Sequence, residues 1–237
     1  MNIKNIKIFL GISYFCIVLI FLWFFFKNFS IQDFTSYDLI KQNMDSLQNL
    51  KKNNVYVSSI TFIIFTIVWI FLLGFAAPIF LIGGFFFGKW LGSILVIFSL
   101  SVGATLFYIF VNFFLKDLVK EKFGKKYSFL ITKFEKNEFL YFLIYRLIGG
   151  IPFVISNIIP VLFSIKIRNF LFGTLFGMAP QLFIGTSLGS GIEKVIKENL
   201  DPPSFFDLIL SPDIYFPLIG FFILILIGFI FKKFFNN

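Results

Sequence analysis

One arginine stands inside an otherwise uncharged apolar run. Arg146 lies within residues 139–165, followed by Gly149-Gly150, Pro152 and Asn157. A guanidinium at membrane depth is costly, and such side chains line a cavity or pair with something. Its planar fork of N–H donors matches phosphate oxygens. The alternative is an arginine that snorkels to the nearby cytoplasmic face. Gly149, Gly150 and Pro152 interrupt any helix through this run, and freed backbone N–H groups and half-helix N-termini attract anions. Asn157 either meets a headgroup or staples the loop to the protein. Pro78, Gly83 and Gly84 make a matching interruption upstream, which structural need alone explains. Gln181, beside Pro180, is a further polar group at depth, suited to the carbonyl that a proline frees. Lys89 reads as an interface anchor, and Lys166 and Arg168 as topology signals.

Other chemistries lack their residues. There is no histidine, hence no imidazole base, proton shuttle or metal ligand. Cys16 is the single cysteine, so neither an intramolecular disulfide nor a thiolate cluster can form. No acid occurs between Asp45 and Asp117, which removes the titratable group that proton coupling needs in this part of the chain. The acids are scattered in loops, and a metal-dependent enzyme needs them clustered. No cofactor is expected.

The elements that must position Arg146 are membrane spans. Of 237 residues, 58% are apolar and 14% charged, where a soluble domain carries about a quarter of its residues as charges. Mean hydropathy is +0.92. Residues 8–26 are uncharged, follow Lys4 and Lys7, and end at Lys27 without a small-residue cleavage site. This predicts an uncleaved first helix. Residues 27–54 are polar. Residues 53–88 then run 36 positions without a charge, awkward for one span of about 20 residues and short for two. Broken at Gly74, Pro78, Gly83 and Gly84, the run fits a re-entrant hairpin with its tip near 75–83. Such backbone is tolerated at depth where protein or a cavity covers it. Residues 90–115 make a clean span. The segment 116–138 carries seven lysines against four acids and is placed in the cytoplasm. Residues 139–165 form a second hairpin from that side, and 166–191 a further span. Residues 191–213, with a net charge of −3, face outward, and the last span, about 214–231, ends at Lys232-Lys233.

The expectation is an all-α integral membrane protein with four full spans, two oppositely facing re-entrant hairpins and both termini cytoplasmic. Its parts are a first helix and connector (1–54), a core (55–191), and an outward loop with a last helix (192–237). Each core half has one plan, a broken hairpin followed by a small-residue-rich span, inverted in the membrane. Interrupted segments in matching halves point to a transport site near the midplane. Small residues four apart (Gly84, Gly88 and Gly92; Gly173 and Gly177; Gly185 and Gly189) permit close helix contact. The net charge of +9 suits anionic lipid, not nucleic acid. A homo-oligomer is compatible with the pattern.

The segment Tyr145-Arg146-Leu147-Ile148-Gly149-Gly150-Ile151-Pro152-Phe153 with Asn157 resembles the Arg-Leu-x-Pro-x-x-Pro-Phe…Asn signature of VTT-domain proteins. These are also called SNARE-associated Golgi proteins, of the DedA superfamily. Arg168-Asn169-Phe170, Gly173-Thr174 and Gly177-Met178-Ala179-Pro180 are similar to the family's next stretch, and Pro78…Gly83…Phe87-Gly88-Lys89-Trp90-Leu91-Gly92 to its first repeat. Gly149 stands where the family's first proline is expected, and Asn112 where an arginine often closes a span. The resemblance covers about 70–190. It implies two facing re-entrant loops and movement of lipids, or lipid-linked carriers such as undecaprenyl phosphate, between leaflets. The expected substrate-binding residues are thus Arg146, Gly149, Gly150, Pro152, Asn157, Pro78, Gly83 and Gly84, and the partners are phosphate-bearing membrane lipids. A bacterial cytoplasmic membrane is the expected location. The alternatives left open are a scaffold or assembly factor without flux, and an ion-coupled small-solute transporter.

Overall fold

The computed structural model describes residues 3–28, 54–72, 75–124 and 126–198, with isolated positions between 206 and 226. Among these residues every regular element is a helix. Helix α1, Ile3–Asn28, belongs to a separate compact unit and is continuous through the predicted first span. Most of the polar connector, and most of the predicted outward loop and last span, lie outside the described residues.

The second unit contains two motifs built alike. The first begins with α2, Val55–Leu72, whose N-terminus is capped by Asn54 Oδ1 accepting from the Val57 N–H at 3.2 Å. After α2 the chain breaks, and Phe75 in the break offers its carbonyl to the indole N–H of Trp69 at 2.9 Å. Helix α3, Ala77–Phe123, then starts with Pro78 in its first turn, where the missing N–H costs nothing. A straight helix of 47 residues would be about 70 Å long, more than twice a hydrocarbon core of about 30 Å. Gly88 divides it. With φ 75° and ψ 175° it occupies backbone space that side chains forbid. The result is an 11-residue segment, 77–87, a corner, and a long helix, 89–123.

The second motif follows α4, Ser128–Lys136, and opens with α5, Glu138–Ile148, capped by Asn137. The break here is Gly149-Gly150-Ile151-Pro152, with both glycines at positive φ. A short helix α6, Phe153–Ile158, runs into a 3-10 turn, Ile159–Phe163, which together again make 11 residues. Ser164, left-handed at φ 52°, turns the corner, and α7, Ile167–Glu198, is the long helix.

Among the described residues three helices, α2, α3 up to Asp117, and α7, are long and apolar enough to cross a membrane. Two equivalent hairpins were expected, and here the motifs differ. At 18 residues, α2 rises about 27 Å, the length of a span. At 11 residues, α5 rises about 16 Å, half of one.

The motifs interlock. The short segment of the first lies on the long helix of the second, so closely that a methyl group on Gly84 would run into the backbone of Thr186, and one on Gly189 into the Leu81 carbonyl. The Ser93 and Thr186 hydroxyls bond at this crossing. Gly83 and Gly84 are therefore not a break, as the sequence suggested. They are buried helical positions, Gly84 letting two backbones meet and Gly83 making room for the Val96 and Phe62 side chains, and the breaks lie on either side of them, before Ala77 and at Gly88. In return, the end of the second motif's short segment meets the long helix of the first: the Tyr108 hydroxyl donates to the Ile165 carbonyl at 2.7 Å.

Candidate functional site

Arg146 is in the last turn of α5 and is 3% exposed. Its side chain points across the hairpin, not toward the surface, so the snorkelling alternative does not hold. One terminal nitrogen donates to Ser156 Oγ at 2.9 Å and the other to Asn157 Oδ1 at 2.5 Å. The guanidinium lies over two rings, 5.1 Å from the centroid of Phe142 and 4.9 Å from that of Phe170. Those rings extend a stack, with Tyr108 on Phe170 at 4.2 Å and Phe142 on Phe170 at 4.9 Å. All of this support is neutral. Among the described residues no carboxylate pairs with Arg146, and its Nε–H and the Asn157 Nδ2 are buried without a hydrogen-bond partner. Two cation–π contacts of about 0.5–2 kcal/mol each and two hydrogen bonds to a charged group of about 1.5–3 kcal/mol each offset an effective desolvation cost of several kcal/mol, but none of them is a counter-charge. The site therefore holds an uncompensated positive charge and spare donors.

Other contacts make the hairpin rigid. The Tyr145 hydroxyl donates to the Ser156 carbonyl at 3.1 Å, and Ser156 Oγ donates to the Phe153 carbonyl at 2.8 Å. A helix end leaves four carbonyls unbonded. At the end of α5 the Gln181 amide donates to two of them, Arg146 O at 3.0 Å and Leu147 O at 2.8 Å. Gln181 thus serves α5 and not the carbonyl freed by Pro180, a correction the sequence could not make because it requires knowing which helices pack. Gly177 completes the fit, since a Cβ there would lie 2.6 Å from that of Arg146. At the other end, Glu138 Oε1 accepts from the Lys166 N–H at 2.6 Å and from Asn169 Nδ2 at 2.9 Å. The first residue of α5 is thereby joined to the start of α7, and residues 138–166 leave and return to one place.

A cavity of about 320 Å³ opens beside Arg146, at the small end of ligand sites. It is bounded by both breaks: Ala76 and Phe80 come from the first motif, Gly149, Gly150 and Ile151 from the second, and Gln181 and Gly185 from α7. Tyr145 and Ser156 add polar groups, and the remaining walls are apolar. Of the predicted residues, Arg146, Gly149 and Gly150 line this space. Asn157 stands behind Arg146, fully buried, in the stapling role. Pro152 precedes α6 and is exposed, outside the lining. Pro78 is exposed in the first turn of α3, Gly84 lies at the helix crossing and Gly83 lies against Val96 and Phe62; none of the three borders the cavity. The expected half-helix N-terminus is a poor anion holder, because α6 has only six residues. Ser156 went unread in the sequence; its spacing of ten from Arg146 has no meaning until the hairpin is closed.

Residues 75–191 match the VTT domain. The chain is a VTT-domain membrane protein. The match runs from the first break to the end of the predicted second long span, and so contains the whole cavity. Similar curated proteins are the transmembrane protein 41 homolog of Dictyostelium discoideum, 27% identical over 71% of this chain and 51% of that protein, and the transmembrane protein 41 homolog of Caenorhabditis elegans, 28% identical over 63% of this chain and 62% of that protein. The aligned part thus spans between half and two thirds of these relatives. Both are eukaryotic, so a bacterial location finds no support in them. No solved structure matches the chain.

Proposed function

We propose that this VTT domain moves phosphate-bearing lipids, or lipid-linked carriers, between leaflets without chemical turnover, and that Arg146 holds the phosphate during passage. The observation that carries the reading is a buried arginine with neutral partners and a spare N–H, beside a cavity with mostly apolar walls. A phosphate would supply the missing charge, and acyl chains would stay against apolar side chains and bilayer. The same geometry supports a re-entrant course for 138–166. Helix α5 rises about 16 Å, and the chain returns to Glu138; on such a course Arg146 would lie near mid-depth of a core of about 30 Å. The lysine-rich 116–138 segment then faces the cytoplasm.

The test is translocation by the purified chain in proteoliposomes, with fluorescent phospholipids and a polyprenyl-phosphate probe. Flux in the wild type should fall at least about ten-fold in Arg146→Ala, the loss expected when an ionic hydrogen bond of about 1.5–3 kcal/mol is removed. Thermal unfolding is measured alongside, since the variant also loses two internal hydrogen bonds. Equal flux in a folded variant refutes the role of Arg146. No wild-type flux with any probe refutes translocation and favours a scaffold.

A further inference from the structure

A second cavity, of about 630 Å³, lies on the other side of Tyr145. The C-terminal end of α3, helices α4 and α5, Ile158 of α6 and the 3-10 turn line it, and it is open on one side. Three tyrosines are the only polar side chains in its lining, which is otherwise aliphatic and phenylalanine. Helix α4 forms one wall through Leu130 and Phe134, the latter stacked on Phe163 at 4.0 Å. This apolar space sits directly under basic groups. Phe123 and Tyr127 line it, and each carries a lysine on its ring: Lys122 Nζ is 5.7 Å from the Phe123 centroid, and Lys126 Nζ is 5.5 Å from that of Tyr127. Both lysines are exposed. An apolar chamber with two cations at its rim is complementary to one class of molecule, an anionic amphiphile. The seven lysines between 116 and 138 extend that positive field.

The two cavities share a wall. Tyr145 and Ile151 line both, and Tyr145 is anchored there by its bond to the Ser156 carbonyl. We infer that the larger cavity is the admission site for an anionic phospholipid, one acyl chain inside and the headgroup at Lys122 and Lys126, with Tyr145 and Ile151 as the partition between it and the Arg146 cavity. This rests on the translocator reading for its purpose, but not for its occupancy. The chamber selects by charge at its rim, before the headgroup reaches the single buried arginine.

Photoactivatable phosphatidylserine and phosphatidylcholine, each with a diazirine at the end of one acyl chain, test this on the full chain in proteoliposomes. Labelled peptides should fall within 119–163, with phosphatidylserine outcompeting phosphatidylcholine. Lys122→Gln with Lys126→Gln should cut that preference about thirty-fold, from roughly 1 kcal/mol per lysine and tenfold per 1.4 kcal/mol. Leu130→Trp, which narrows the chamber, should weaken the label there, whereas Arg146→Ala should leave it. Labelling confined to outer helix faces, or equal for both lipids, overturns the inference. Because labelling reads occupancy and not flux, the two failures separate. A chain labelled in the chamber that moves no lipid keeps this site and loses the translocator; a chain that moves lipid without such label does the reverse.

Discussion

Asn157 offers the sharpest test of the buried arginine, because one atom changes while the shape stays. Its Oδ1 accepts from Arg146 at 2.5 Å, and its Nδ2 is buried without a partner. Asn157→Asp would replace the idle donor with an oxygen and set a carboxylate against an uncompensated guanidinium. At about 3–4 Å and an effective dielectric of about 20 the new pair attracts by roughly 4–6 kcal/mol, of which desolvating the carboxylate takes back about 3–4. The net is a gain of about 1–2 kcal/mol, or a few degrees in unfolding midpoint for a chain of this size. The same carboxylate would neutralise the charge that a phosphate needs. At about 5 Å and an effective dielectric of about 20, that attraction is worth roughly 3 kcal/mol, so lipid affinity should fall by about a hundred-fold. Thermal unfolding in detergent and flux in vesicles should therefore move in opposite directions: a more stable protein that transports less. Asn157→Leu is the control. It removes the acceptor, leaves an Arg146 N–H without a partner, and should lose about 1.5–3 kcal/mol. If Asn157→Asp is more stable with unchanged flux, Arg146 only fastens the hairpin. If it is less stable, the charge is already compensated and the reasoning from geometry fails.

Three further outcomes are expected. Gly84→Ala should separate α3 from α7 and lower stability by at least about 1–3 kcal/mol, the ordinary cost of overpacking, because the added methyl meets the Thr186 backbone, which cannot rotate away; thermal unfolding reads it. Gly88→Ala meets nothing within 4 Å, yet should also cost about 1–3 kcal/mol through backbone strain at φ 75°, and a D-alanine at that position in a semisynthetic chain should restore stability. Glu138→Ala should remove the acceptor for Lys166 and Asn169 and destabilise by about 1–2 kcal/mol, with faster amide exchange at the start of α7 as its local signature.

The membrane class and the location of the second break were legible because they depend on composition and on glycine and proline. Gly149-Gly150-Ile151-Pro152 interrupts a helix in any surroundings. Arg146 was legible because charge is rare in such a run. The first break was misplaced for a related reason. Glycine serves two purposes, forbidden backbone angles and close approach, and the pattern of Gly83, Gly84, Gly88 and Gly92 does not say which glycine does which. Only packing distinguishes Gly88, with nothing near it, from Gly84, pressed against Thr186. Partners distant in sequence were invisible for the same reason. Gln181 lies 35 residues from the Arg146 carbonyl, and Tyr108 lies 57 from that of Ile165. The shared plan of the two halves says nothing of limb length, which is set by where helices start, and Asn54 and Asn137 cap α2 and α5 at unequal distances from their breaks.

The inequality of the motifs bears on how the arginine is held. An acidic partner would make Arg146 cheaper to bury and, by the same charge balance, indifferent to a phosphate. Here the cost is spread over neutral groups from three elements: the rings of Phe142 on α5 and Phe170 on α7, and the oxygens of Ser156 and Asn157 on α6. These can converge on one guanidinium only if α5 is short enough for the chain to turn back within its own length. An 18-residue limb like α2 would carry Arg146, Ser156 and Asn157 together away from Phe170 near the start of α7. The half-length of α5, the Glu138 joint at its base and the Gln181 cap at its tip are thus conditions for burying a cation without a counter-charge.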